Sequence, residues 1–120
     1  MKDPKSRRRV LVVSGGQQTH DYIASLLPAD EFEPPTLAHT GGEARRLLLS
    51  EAFDILVVNA PLPDEFGLDL AQDAAEGHTG VLLLTKSDTY EQVAIRAEDA
   101  GVLTLAKPVP RQTLYTSVRL

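Results

Sequence analysis

The sequence predicts one α/β domain in which a five-stranded parallel sheet lies between two layers of helices. Short apolar runs alternate five times with segments of helical apolar spacing, the pattern of repeated βαβ units. The run Ile55-Leu56-Val57-Val58 is apolar at every position rather than at alternate ones, as a strand covered on both faces requires. With 120 residues, 42% of them hydrophobic and 24% charged, the chain suits a single core and a single domain.

The elements follow in order along the chain. Val10 to Ser14 is a β-branched run ending on Ser14-Gly15-Gly16, so it reads as strand one entering a turn. Ile23, Leu26 and Leu27 recur at helical spacing before Pro28, which predicts helix one over Gln17 to Leu27. The acidic, proline-bearing stretch Asp30 to Pro35 is a loop, and Thr36 to His39 is a short strand two. Thr40-Gly41-Gly42-Glu43 carries the threonine and glutamate of a capping box, with Ala44, Leu47 and Leu48 as the buried face of helix two. Asp54 to Asn59 is strand three. Pro61, Pro63 and Gly67 break the next loop, and Leu70, Ala71 and Ala74 mark helix three, ending near Gly77. Val81 to Thr85 is strand four. Asp88-Thr89-Tyr90-Glu91 is expected to cap helix four, whose Val93, Ala94 and Ala97 face inward before Gly101 stops it. Val102 to Ala106 is strand five, Lys107-Pro108 follows, and Pro110 opens helix five with Leu114 and Val118.

The net charge of −5 is unevenly spread, since the first nine residues hold Lys2, Lys5, Arg7, Arg8 and Arg9 against only Asp3. Residues 1–8 read as a basic tail, a solvated lead-in to strand one, on an acidic body that repels a phosphate backbone. There is no apolar run of bilayer length, and the N-terminus is charged where a secretory signal is apolar, so a soluble, cytoplasmic protein without a membrane partner is expected. The absence of cysteine excludes disulfides, thiolate metal sites and a cysteine nucleophile. His20, His39 and His78 are too widely spaced for a local metal motif.

In open parallel sheets, chemistry gathers at the carboxyl ends of the strands, here Ser14, Asn59, Thr85 and Lys107. Ser14-Gly15-Gly16 is a partial phosphate cradle, but Gln17, Gln18 and Thr19 follow where a nucleotide-binding glycine pattern would continue. A nucleophilic role for Ser14 needs a base and an orienting acid. His20 is the available base, and an exposed polar residue is its plainer reading.

The order and spacing of these positions resemble the receiver domains of two-component response regulators, over the whole chain. The resemblance implies a flavodoxin-like (CheY-like) three-layer sandwich over residues 9–120, with strand order 2-1-3-4-5 and five helices. Family members place two acidic residues after strand one, an acceptor aspartate after strand three, Ser or Thr after strand four and Lys-Pro after strand five. Ser14 and Gly15 stand in for the acidic pair and Asn59 for the acceptor, while Thr85 and Lys107-Pro108 are kept. Pro63 and Gly67 keep the family's loop punctuation, and its aromatic switch position falls on Thr104.

An acyl phosphate forms only when a carboxylate attacks a phosphoryl group held by Mg²⁺, and an amide cannot replace it. Mg²⁺ also prefers charged oxygen ligands, which Ser14, Gly15 and Asn59 lack. The expectation is therefore a pseudo-receiver with no enzymatic activity, no cofactor, and weak or absent Mg²⁺ binding. Lys107 should turn to the Asn59 carbonyl or the Ser14 hydroxyl, because a buried unpaired ammonium is costly. Asp64, Glu65 and Asp88 are expected to be solvated. The face of helix four, strand five and helix five, with Tyr90, Arg111 and Tyr115, is the expected surface for a homodimer or an output domain.

The segments Asn59 to Leu68 and Gly41 to Leu49 further resemble the degenerate receivers of ANTAR-type regulators, whose C-terminal helical domain binds nascent RNA and prevents transcription termination. Nucleic-acid contact would then belong to such a C-terminal domain. The chain ends at Leu120 inside the expected helix five, which suggests a longer parent protein. A different class of function, a small-ligand or nucleotide sensor using the strand-end pocket, is the alternative.

Overall fold

Four consecutive valines and leucines leave a strand no polar face, and all four residues of Val10–Val13 (β1) are buried. The computed structural model describes residues 7–119. Ile55–Asn59 (β3) runs beside β1, and Thr36–Ala38 (β2) flanks β1 on its other side. Gly80–Lys86 (β4) follows β3, and Val102–Lys107 (β5) closes the sheet as an edge strand. Every pairing is parallel and the order is β2-β1-β3-β4-β5.

Five helices cover the sheet: Gln18–Leu26 (α1), Gly41–Ser50 (α2), Leu68–Ala75 (α3), Tyr90–Asp99 (α4) and Arg111–Arg119 (α5). Side chains alternate across each strand, so each face has its own core. Val10, Val12, Ile55, Val57 and Leu84 pack against Ile23 of α1 and Leu114 and Val118 of α5. Leu11, Val13, Leu56, Val58 and Leu83 pack against Ala44 of α2, Leu70 of α3 and Ala97 of α4. Burying each valine, leucine or isoleucine among them contributes roughly 1.5–3 kcal/mol before the loss of chain entropy is counted.

This alternation continues to the strand ends and sorts the site. Asn59 follows Ile55 and Val57 onto the α1/α5 face, as Lys107 follows Leu105. Thr85 and Thr104 follow Leu83 and Val102 onto the face covered by α4.

Local details depart from the sequence reading in two places. Thr40 does cap α2, accepting from the Glu43 N–H at 3.1 Å, but Glu43 Oε2 accepts from His39 N at 3.3 Å rather than from Thr40. The expected Asp88-Thr89 side-chain cap of α4 does not form. Thr89 is the N-cap residue with helical backbone angles, and its hydroxyl donates to the Lys86 carbonyl at 3.1 Å instead. Gly101, at φ +81°, ends α4 in the left-handed conformation that a residue with a Cβ resists.

Lys2 and Lys5 of the expected tail lie outside the described residues. Arg8 exchanges backbone hydrogen bonds of 2.9 Å with Glu31 and Glu33, and its guanidinium sits 5.7 Å from the Phe32 ring centroid. Arg9 pairs with Glu33 at 3.4 Å and Glu51 at 2.6 Å. The last arginines of the basic run are thus laid on the body. Among the described residues no helix is long and apolar enough to cross a membrane.

Candidate functional site

β1 and β3 are neighbours from which the chain winds outward in opposite directions, so the ends of these strands open onto a crevice. Asn59 occupies it. Its amide nitrogen donates to Ser14 Oγ at 3.1 Å and to Thr19 Oγ1 at 3.0 Å. Its Oδ1 accepts from Lys107 Nζ at 2.8 Å, and Lys107 donates also to the Ala60 carbonyl at 2.7 Å. An ammonium only donates, so the partners themselves fix which end of the amide is nitrogen and which is oxygen. Burial, and then repulsion from Lys86, hold Lys107 below the ordinary lysine range.

The structure therefore joins Ser14, Asn59 and Lys107, and adds Thr19, which the sequence reading passed over. Its signal was faint: a hydroxyl in the first turn of α1, five residues beyond Ser14. Thr85 is not joined to them. It is buried on the opposite face, where it donates to Thr89 Oγ1 at 2.8 Å, since the Thr89 proton is committed to Lys86. Thr104 is 6% exposed and its hydroxyl meets no hydrogen-bond partner. Gly15 lies under the loop after β3, where a Cβ would come 3.1 Å from Pro63 Cγ. His20 faces away from Ser14, with Nδ1 3.0 Å from Asp21 and Nε2 2.9 Å from the Pro35 carbonyl.

Of the three acidic loop residues expected to be solvated, Asp64 and Glu65 are engaged by the protein. Asp64 accepts from the N–H groups of Gly41 at 2.8 Å and Gly42 at 3.0 Å, which holds its carboxyl below the usual range. These are free donors of the α2 N-terminus, and a carboxylate answers both the donors and the helix dipole. Glu65 pairs with Arg45, which also lies 3.6 Å from Asp73. Asp88 is exposed.

Mg²⁺, which the fold family implies, does not fit the donor set at these strand ends. Ser14 and Gly15 bring no charge, the Asn59 oxygen is held by an ammonium, and Asp64 and Glu65 are turned towards α2. Among the described residues no group of three or more histidine and acidic side chains is arranged to hold a metal.

On the expected partner face, Tyr90 is half-buried at the start of α4 and Arg111 is exposed. Tyr115 is half-buried and packs into the α1/α5 core, with the Arg119 guanidinium over its ring at 5.1 Å and bonded to its hydroxyl. Two apolar residues unmarked by the sequence reading are exposed on the same elements, Ile95 of α4 at 69% and Leu103 of β5 at 43%.

The chain matches no family model. It is 32% identical over 122 residues to the response regulator protein PilR of Pseudomonas aeruginosa, across 96% of this chain and 27% of PilR. It is 25% identical over 114 residues to the transcriptional regulatory protein PdtaR of Mycobacterium tuberculosis, across 94% of this chain and 56% of PdtaR. The chain thus spans about a quarter of the first relative's length and just over half of the second's. A CheY-like response regulator receiver domain protein from Methanospirillum hungatei shares the fold, with a TM-score of 0.81 at 23% identity, over 95% of this chain and 92% of that one.

Proposed function

We propose that the chain is a receiver domain of the response-regulator type, a signalling module rather than an enzyme, that works without phosphorylation at the usual position; its fold and its likeness to PilR support the family reading. The observation that carries this reading is the bonding of Asn59. Both amide protons and the amide oxygen are committed within the protein, and the lysine of the pocket is bound to neutral carbonyls. Such a site has no carboxylate to accept a phosphoryl group and none to hold the Mg²⁺ that its transfer requires.

Its role is then to hold a regulator together. Dimerisation or docking of an output domain through α4, β5 and α5 is the reading favoured by exposed Ile95 and Leu103 on elements that also carry Tyr90 and Arg111. The name of PdtaR, a transcriptional regulatory protein, supports a part in gene regulation. An ANTAR-type RNA-binding output domain in the parent protein is the finer form of this proposal, and it rests on the sequence resemblance.

The test is incubation with acetyl phosphate and Mg²⁺, followed by intact mass spectrometry with and without the metal. The expected mass is unchanged. A Mg²⁺-dependent gain of one phosphoryl group overturns the reading and makes Asp64 the first residue to replace.

A further inference from the structure

Beside the Asn59–Lys107 contact, a broad, open groove with a volume of about 500 Å³ lies between α1 and the turn from β5 into α5. Its walls are mainly apolar, formed by Tyr22 of α1, Leu84 of β4, Val109 of the turn and Leu114 of α5. Its polar lining comes from Asn59, Lys107, Thr19 and the exposed Gln18, and Lys107 alone among these is charged. This is the make-up of a small-molecule site: a volume within the usual range, apolar walls, and a few polar groups.

Charge identifies the occupant. A lysine ammonium has three protons, and here two go to the neutral carbonyls of Asn59 and Ala60. The third has no protein acceptor among the described residues, and the charged group acting on Lys107 is another cation, Lys86. The site therefore carries a positive charge that the protein solvates poorly and leaves without a counter-ion. We propose that the groove binds a small organic anion, its carboxylate or phosphate on Lys107 and its apolar body against Tyr22, Leu84, Val109 and Leu114. Inorganic phosphate would satisfy the charge but leave the walls empty, and a neutral apolar ligand would do the reverse.

Binding here changes the surroundings of α1 and of the β5–α5 turn, so it goes beyond the docking role and gives that role an input. It rests on the preceding reading only in that Lys107 has no phosphoryl group to answer. The mass measurement above and the binding measurement below fail independently.

The test is a titration of ¹⁵N-labelled protein with indole-3-acetate, naphthalene-1-acetate and phenyl phosphate. Indole-3-acetamide and naphthalene-1-acetamide serve as neutral counterparts, and acetate and inorganic phosphate as heads without bodies. At least one aromatic anion is expected to move the amide signals of Tyr22, Val109 and Leu114, and to bind roughly tenfold more tightly than its neutral counterpart or its bare head. Lys107→Met should remove the preference for the anion, and Val109→Trp, which fills the groove and leaves Lys107 in place, should abolish binding. No binding by any aromatic anion, equal binding of acid and amide, or retained binding in V109W each overturns the proposal.

Discussion

Lys107 donates to the side-chain carbonyl of Asn59 at 2.8 Å, reaching from β5 across β4 to the end of β3. The contact gives a cation two neutral partners and no opposite charge, so folding makes Lys107 a weaker base than it is in the unfolded chain. The unfolded state then binds the proton more readily. Stability from this group rises with pH through the window that lies below the ordinary lysine value of 10.5.

Asn59→Asp supplies the missing opposite charge. The Ser14 and Thr19 hydroxyls are free to turn and donate to the new carboxylate while Lys107 pairs with it. The expected outcome is an increase in the Lys107 pKa, read by NMR titration of its side chain, and a flatter dependence of stability on alkaline pH. Treatment with acetyl phosphate and Mg²⁺ should still leave the mass unchanged. Ser14 and Gly15 remain uncharged, and a side chain at Gly15 would crowd Pro63.

Thr104→Val should stabilise the fold. The threonine hydroxyl is buried under α4 with no partner, whereas valine keeps the β-branched shape and buries a methyl group instead. Removing an unsatisfied buried polar group is worth on the order of 1 kcal/mol, measurable as a higher urea midpoint at unchanged slope.

Gly67→Ala should destabilise by roughly 1–3 kcal/mol, because strain and overpacking coincide there. Gly67 has φ +119°, and a Cβ would lie 2.8 Å from Val58 Cγ1 in the core. Gly101→Ala is the control. Its φ is +81°, but a Cβ meets nothing within 4 Å, so only the backbone penalty of about 1–2 kcal/mol is expected. Denaturation of both variants separates the two contributions.

His20 should make stability depend on pH near neutrality. Burial lowers its pKa, but the hydrogen bonds to Asp21 and the Pro35 carbonyl outweigh this and raise it above 6.5. Both ring nitrogens face acceptors, which only the doubly protonated ring can satisfy. The contribution is fully present below pH 6.5 and is lost as pH rises through the folded pKa. His20→Gln should remove that decline, as seen by comparing denaturation midpoints of the two proteins over a pH series that starts about one unit below 6.5 and rises into the alkaline range.

The strands and helices were legible because apolar runs and helical spacing report burial directly, as at Val10–Val13 and Ile55–Asn59. Asn59 and Lys107 were legible as strand ends sharing one crevice. Thr19 was not, since its role depends on the distance between a helix and a strand rather than on any local pattern. The separation of Thr85 from Lys107 follows from the alternation of side chains, which boundaries uncertain by one residue conceal. Asp64 and Asp88 look alike in sequence, yet only Asp64 lies opposite the free N–H groups of α2.

The reach of Lys107 over β4 also has a mechanical side. β5 is an edge strand, and its C-terminal residue is the one that grips β3. A force that draws the chain out from its C-terminal end strips α5 and then loads β5 at that same residue. Unzipping must break this charge-assisted tie before the first rung of the β4–β5 ladder opens, so the strand is latched where tearing would start.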